Sequence, residues 1–496
     1  MIARFLFVLL LAVPLLFSQG CSQPDSNIIR FGLSSSPLRL DPRFATDATS
    51  SRLNRLLYER LTDFDDASRA IPSLANWQQL SPLRYRFVLR PNRRSFNNGE
   101  RLTSADVKTT YDFVLNKKNA SPHRSSLVLI KYVRIIDPDT IEFELNHADA
   151  LFPSYLVIGI VSEKAVQRGV NLDQHPAGSG PFTMRDWPEE GRLQLQRRRD
   201  KQVFEFVHIG DSTVRTLKLL RGEIDILQND LPRELVNKLR QDDSVRVANR
   251  TGSNFSYLGF NFLQPQFADR RVRQAVMHAI DRKSLVRYVL GGKTRVAESI
   301  LPPEHWAGND AIKAYRFDPG QSRALLKQAG YDAEHPLRMS YKTSSDPFRI
   351  RIATIIQQQL ADVGIKVELV SYDWATFYGD IKAGRFQLYS LSWVGIKSPD
   401  ILRYVFHSKA VPPDGANRGH YNNPLVDRLI ERAEREADMD KRAQLYRELL
   451  IILHDDLPYI PLWYEEHFSI VRKNIKGYQL TADGSYDYLS EVSRQN

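Results

Sequence analysis

A single cysteine, Cys21, occurs in the 496 residues. Internal disulfides are therefore excluded, and so is any all-cysteine zinc or iron–sulfur site. Long apolar runs are nearly as scarce. The stretch from Phe5 to Phe17 has no later counterpart, and its 13 residues would span about 20 Å as a helix, short of the roughly 30 Å hydrocarbon core of a membrane. With one charge before it, Arg4, it reads as the apolar region of an export signal over residues 1–20. Site motifs are missing too. The 11 histidines include no His-Glu-x-x-His and no pair at ligand spacing beside acids. Gly291-Gly-Lys-Thr294 lacks the first glycine of a phosphate loop, since Arg287 stands there, and reads as a helix end. Gly178-Ser-Gly180 lacks the frame of a nucleophile elbow. No catalytic group, cofactor or metal is implied, and the chain does not read as an enzyme.

What remains is an ordinary folded composition, 42% hydrophobic and 26% charged, with length enough for two to four domains. The net charge is +11, which attracts acidic partners. Arg90, Arg93, Arg94 and the run at 197–199 form basic clusters. They lack the interleaved aromatics of a single-strand nucleic-acid groove, so nucleic acid is set aside as a partner in favour of anionic lipid or cell wall.

Cys21 stands directly after small Gly20, where a bacterial lipoprotein signal places its acylated residue. Ser18 and Gln19 depart from the usual Leu and small residue at those two positions. The expectation is a lipid-anchored envelope protein in the periplasm with residues 21–27 as a tether. Ser22, a residue other than Asp after the cysteine, points to the outer membrane rather than the inner.

Along the mature chain, strand and helix patterns alternate, which implies α/β domains. Residues 28–34, 85–90, 140–145, 193–197, 203–209, 224–227 and 365–370 read as strands. Helices are expected over 47–61, from a cap at Thr103, and over 213–220, 269–290 and 349–363. Two more are expected within 423–453, joined near Asp438. Pro176-Ala-Gly-Ser-Gly-Pro181 is the strongest break in the first half and predicts a domain crossover.

Several fragments then fall into a known order: Leu74-Ala-x-Trp77, Phe96-Asn-Asn-Gly-Glu-Arg-Leu-Thr-Ser-Ala-Asp-Val107, Gly178-Ser-Gly-Pro-Phe182, Tyr257-Leu-Gly-Phe-Asn261, Ala279-Ile-Asp-Arg282 and Tyr421-x-Asn-Pro424. In this order the chain resembles family 5 of the bacterial extracellular solute-binding proteins, the oligopeptide- and dipeptide-binding components of ABC importers. The resemblance implies a two-lobed periplasmic-binding-protein fold of the class II, cluster C type, with an extra small α+β domain. Lobe I would comprise 28–60, 178–262 and 468–496, the extra domain 61–177, and lobe II 263–467. It also implies a monomer that captures a small peptide or peptide-like solute by hinge closure and delivers it to ABC importer permease subunits.

In peptide-binding members an Asp three residues after a Trp takes the peptide α-amine. Here that Asp is replaced by Ile396 after Trp393, with Asp400 the nearest acid downstream. Free-amine recognition is thereby put in question, and blocked or cell-wall peptides, sugars and other anionic or hydrophobic solutes stay open. Candidate contacts are Trp393 as an aromatic wall, Ser35 and Ser36 after the first strand, Asn254 and Tyr257 before the hinge, and Arg403 and Arg418. The alternative is an orphan envelope lipoprotein that senses or scaffolds and binds a non-peptide or cell-wall-derived ligand.

Overall fold

In a computed structural model, which describes residues 27–65, 68–92, 95–189, 191–291 and 294–495, these elements assemble around one mixed sheet. Cys21, its leader and the tether up to residue 26 lie outside the described residues, as do Arg93, Arg94, Gly292 and Lys293. The sheet runs from Lys366–Tyr372 through Arg338–Ser344, Leu388–Trp393, Val245–Phe260, Tyr459–Arg472, Ile226–Gln228, Ile28–Leu33, Val203–His208 and Arg192–Arg197 to Phe182–Glu189. The short strand Arg295–Val296 pairs beside Tyr459–Arg472. Ile28–Leu33 is parallel to both neighbours, and its mainly apolar sequence fits a strand covered on both faces.

The axis of the molecule is a long antiparallel ribbon. Val245–Phe260 pairs with Tyr459–Arg472 from Val245 opposite Arg472 to Gly259 opposite Tyr459, with register breaks between Thr251 and Phe255 and between Ser256 and Tyr257. Such breaks bend a strand pair and raise its twist. On one side of them the ribbon borders Ile226–Gln228, which in turn pairs with the N-terminal strand. On the other, Phe255 to Phe260 pairs with Leu388–Trp393. The neighbours of the ribbon thus change at the breaks.

A separate four-stranded antiparallel sheet is built from Ala75–Ser81, Arg84–Leu89, Thr140–Leu145 and Ile130–Asp137, in that order. Helix Ser104–Leu115 covers it, started by a capping box between Thr103 and Asp106. Tyr85, Phe87, Tyr111, Phe143 and Phe152 make its aromatic core. This unit is tied to the second lobe by an ion pair, Arg442 to Asp149 at 3.0 Å, whose side chains are 0% and 1% exposed. Tyr155 donates a further hydrogen bond to the Asp149 carboxylate at 2.8 Å.

The turn expected at 176–181 depends on its glycines. A Cβ on Gly178 would collide with the carbonyl oxygen of Leu57, and one on Gly180 with those of Leu56 and Leu57. The chain therefore re-enters the first lobe packed against the end of helix Ala48–Leu57. One expected element is corrected: residues 269–290 are not one helix. Helix Arg270–Ala279 ends at Ile280, whose backbone is extended, and Asp281 caps a second helical segment by accepting from the Ser284 amide. An acid with a short side chain prefers that capping role to a helix interior. Among the described residues no helix is long and apolar enough to cross a membrane.

Candidate functional site

Strand ends and the loops that leave them enclose a cavity of about 1020 Å³. Ser34, Ser35 and Ser36 enter it from the end of the first strand, and Asn254, Ser256 and Tyr257 from the register breaks of the ribbon. Trp374 and Tyr378 enter it from helix Trp374–Lys382, Trp393 from the end of strand Leu388–Trp393, and Arg418, Phe64, His123 and Ser154 also line it. This is the size and mixture of aromatic and polar groups that a small-solute site has.

Six of the seven expected contact residues lie on this cavity: Ser35, Ser36, Asn254, Tyr257, Trp393 and Arg418. Ser35 shares a hydrogen bond of 3.1 Å with Thr49. The Asn254 amide oxygen accepts from the Gly395 amide at 3.2 Å and so joins the ribbon to the loop after Trp393. Tyr257 is fully buried and stacks on Tyr459 with ring centroids 3.9 Å apart. The seventh, Arg403, is corrected. It is absent from the cavity wall, and its guanidinium donates to the Glu434 carboxylate at 2.7 Å inside the second lobe. One helical turn past Asp400, it faces the helix carrying Glu434 and completes that packing.

Charged residues that the sequence does not single out also reach the cavity. Glu465 accepts from Ser256 at 2.6 Å, from Ser392 at 2.7 Å and from Arg349 at 3.3 Å. Burial pushes its carboxyl upward, but Arg349 and the two serine hydroxyls outweigh that and hold it below the usual range. Lys397 reaches across the cleft to Asp483 at 2.9 Å. Burial opposes the Asp483 charge, yet Lys397 and Arg55 hold it ionised well below the ordinary carboxylate range.

Ile396 is 7% exposed and offers only hydrocarbon to the cavity. Asp400 also lines it, and burial pushes its carboxyl up to about 7, moderated by a hydrogen bond from Ser398. Burial likewise drives the His123 imidazole down to about 4. No group of three or more His, Cys, Asp or Glu side chains among the described residues could hold a metal ion.

With this geometry in view, the sequence matches the bacterial extracellular solute-binding proteins, family 5 middle, over residues 70–410. The peptide transport periplasmic protein SapA of Salmonella typhimurium is 30% identical over 478 residues, covering 88% of this chain and 86% of that protein. The dipeptide-binding protein of Escherichia coli is 27% identical over 496 residues, 91% of this chain and 92% of the relative. Among solved structures, the periplasmic binding protein DppA from Helicobacter pylori in complex with the peptide STSA aligns with a TM-score of 0.86 at 24% identity. The alignment covers 95% of this chain and 98% of that one. That likeness carries the two-lobed fold.

Proposed function

Since this chain belongs to family 5 of the bacterial extracellular solute-binding proteins, we propose that it captures a peptide or peptide-like solute between its lobes and presents it to the permease subunits of an ABC importer. The family is one of transport proteins and not of enzymes. The observation that carries the reading is the cavity of about 1020 Å³, walled from both lobes and placed at the register breaks of the ribbon that joins them. In this reading the ribbon, which runs on from the breaks to the second lobe, is the hinge. Lobe I comprises 28–60, 178–262 and 468–496, the extra domain 61–177 and lobe II 263–467. A ligand held by Asn254 and Tyr257 on the hinge side and Trp393 on the far lobe stabilises the closed form.

Thermal unfolding against a panel of peptides, glycans and cell-wall fragments tests this. A true ligand at 100 times its Kd adds about 2.7 kcal/mol of stability and is retained in native mass spectra. If no solute class shifts unfolding, the capture reading fails.

The protein acts as a monomer held in the periplasm by a lipid on Cys21, with the outer membrane as the favoured face. The sole cysteine behind an export-type leader supports the anchor, and Ser22 after it supports the outer-membrane face. Cys21→Ser is expected to move the protein from the membrane to the soluble fraction of lysed cells, and unchanged fractionation would refute the anchor.

A further inference from the structure

The charges around the cleft narrow the chemistry of its ligand, given the reading of the cleft as the capture site. Most of the cations there are already neutralised. Arg55 pairs with Asp63 and Asp487, and Arg60 with Asp63. Lys397 pairs with Asp483, and Arg349 with Glu465 and Asp230. Arg418 differs. It is 5% exposed, lines the cavity and has no carboxylate within 4.0 Å among the described residues.

Its guanidinium donates to two neutral hydroxyls instead, Tyr257 and Tyr378, each at 3.2 Å. It also lies 4.9 Å from the Trp393 ring centroid and 5.4 Å from that of Tyr378. Ring faces relieve part of the cost of burying such a charge, but they do not neutralise it, and among the described residues two of its five N–H groups have protein acceptors. Trp374 stacks on Tyr378 with centroids 5.3 Å apart and planes within 10°. The buried indole N–H groups of Trp374 and Trp393 have no acceptor either. This wall therefore holds donors that no protein acceptor meets among the described residues.

The opposite requirement, a counter-charge for a ligand amine, is poorly met. Ile396 is apolar, and the carboxylate across the cleft, Asp483, is occupied by the protein's own ammonium on Lys397. Asp47, Asp346 and Asp373 each accept from backbone amides at a helix start. Asp211 caps a helix in the same way, and Asp230 and Glu465 are held by Arg349, which leaves Asp400 among the lining acids.

We infer that the cleft selects an anionic solute, holding a carboxylate against Arg418 between Trp393 and Tyr378 and making no demand for a free α-amine. Among peptide-like compounds this is the class of amino-blocked peptides with a free terminal carboxylate. A planar guanidinium offers a carboxylate two parallel hydrogen bonds, which a lysine cannot reproduce.

The test uses random tripeptide pools in four forms: free at both ends, N-acetylated, C-amidated, and blocked at both ends. Capture by the full chain is read by native mass spectrometry and the affinities by calorimetry. N-acetylation is expected to change affinity less than about 3-fold, and C-amidation to weaken it at least about 30-fold, the factor expected for a charge-assisted pair. Arg418→Gln should weaken the acids by a similar factor while leaving amide binding unchanged, and Arg418→Lys should restore only part of it. Asp400→Asn should leave the acids unaffected. Unliganded melting of each variant shows whether it is folded.

A preference for free amines that survives C-amidation and is lost in Asp400→Asn overturns this inference while leaving solute capture intact. An Arg418→Gln loss equal for acids and amides assigns that arginine to packing and also overturns it. Capture of no form, together with a silent solute panel, removes the capture reading and this inference with it.

Discussion

Asp149→Ala or Arg442→Leu is expected to lower the free energy of unfolding by about 3–5 kcal/mol, because each leaves a buried charge without its partner. The two side chains are 1% and 0% exposed, so water cannot replace what is lost. Arg442 Nη2 also donates to the Glu434 carbonyl at 2.7 Å, and Asp149 accepts from Tyr155. Its Nε and Nη1 have no acceptor, so the pair is desolvated without being fully satisfied. The double variant Asp149→Leu with Arg442→Leu should therefore cost less than either single change, since it removes both the charges and the unmet donors. Urea unfolding of the four proteins at pH 7 measures this. Additive costs, or single-site losses below about 1 kcal/mol, would show that the pair is not buried as described. The pair ties the four-stranded unit to helix Met439–Asp456, so the single variants should also loosen that contact.

Acid should destabilise the fold through His123 before its surface carboxylates titrate. Buried against the cleft with Nε2 3.0 Å from the Ala45 carbonyl, this imidazole titrates near 4 in the fold, pushed down by burial, against about 6.5 in the unfolded chain. Between those values the unfolded state binds the extra proton. Stability is thus fully present above about 6.5 and is lost as pH falls toward 4. The shift corresponds to about 3 kcal/mol at the acid end. His467, also buried and lowered by burial and by the charge of Arg52, acts in the same direction. Asp400 acts in the other. With its folded pKa raised to about 7 by burial, it takes up a proton on folding below that pH and so gains stability as pH falls. Unfolding free energies at pH 7 and pH 4.5 should therefore differ less in His123→Gln than in the wild type and more in Asp400→Asn. Glutamine keeps a donor for the Ala45 carbonyl and cannot titrate. Parallel pH profiles for the wild type and His123→Gln would refute the assignment.

Local signals in the sequence were strong wherever a turn or cap is spelled out by residue type. The helix started by Thr103 and the pair Pro424–Arg435 and Met439–Asp456 split at Asp438 form where capping chemistry puts them. The strand Tyr459–Arg472 went unread, although it lies at the centre of the sheet. Its run of Ile, Leu, Trp and Tyr is buried on both faces at one end, so it lacks the alternation that marks a half-exposed strand. The break at Ile280 was missed for a different reason: the apolar spacing continues across it, and the cap by Asp281 overrides that spacing locally.

The cleft was legible where loops follow strand ends, as at Ser35 and Asn254, and at the aromatic Trp393. Its ion pairs were not. Lys397 meets Asp483, and Arg349 meets Glu465, across 86 and 116 residues of chain, and nothing local in either segment announces the partner. Arg403 failed for the same reason: its match to Glu434 is a packing fact between two helices.

The ribbon sets the order in which the molecule can be built. Val245–Phe260 and Ile226–Gln228 both take Tyr459–Arg472 as a neighbour, so a strand made near the end of synthesis fills the middle of the sheet. Until it arrives, both lobes present open edges with unpaired amides and carbonyls, which recruit other chains. Pairings of such sequence separation also form slowly. A chain interrupted before residue 459 is thus a pair of unfinished half-sheets, prone to aggregate, rather than a smaller stable receptor.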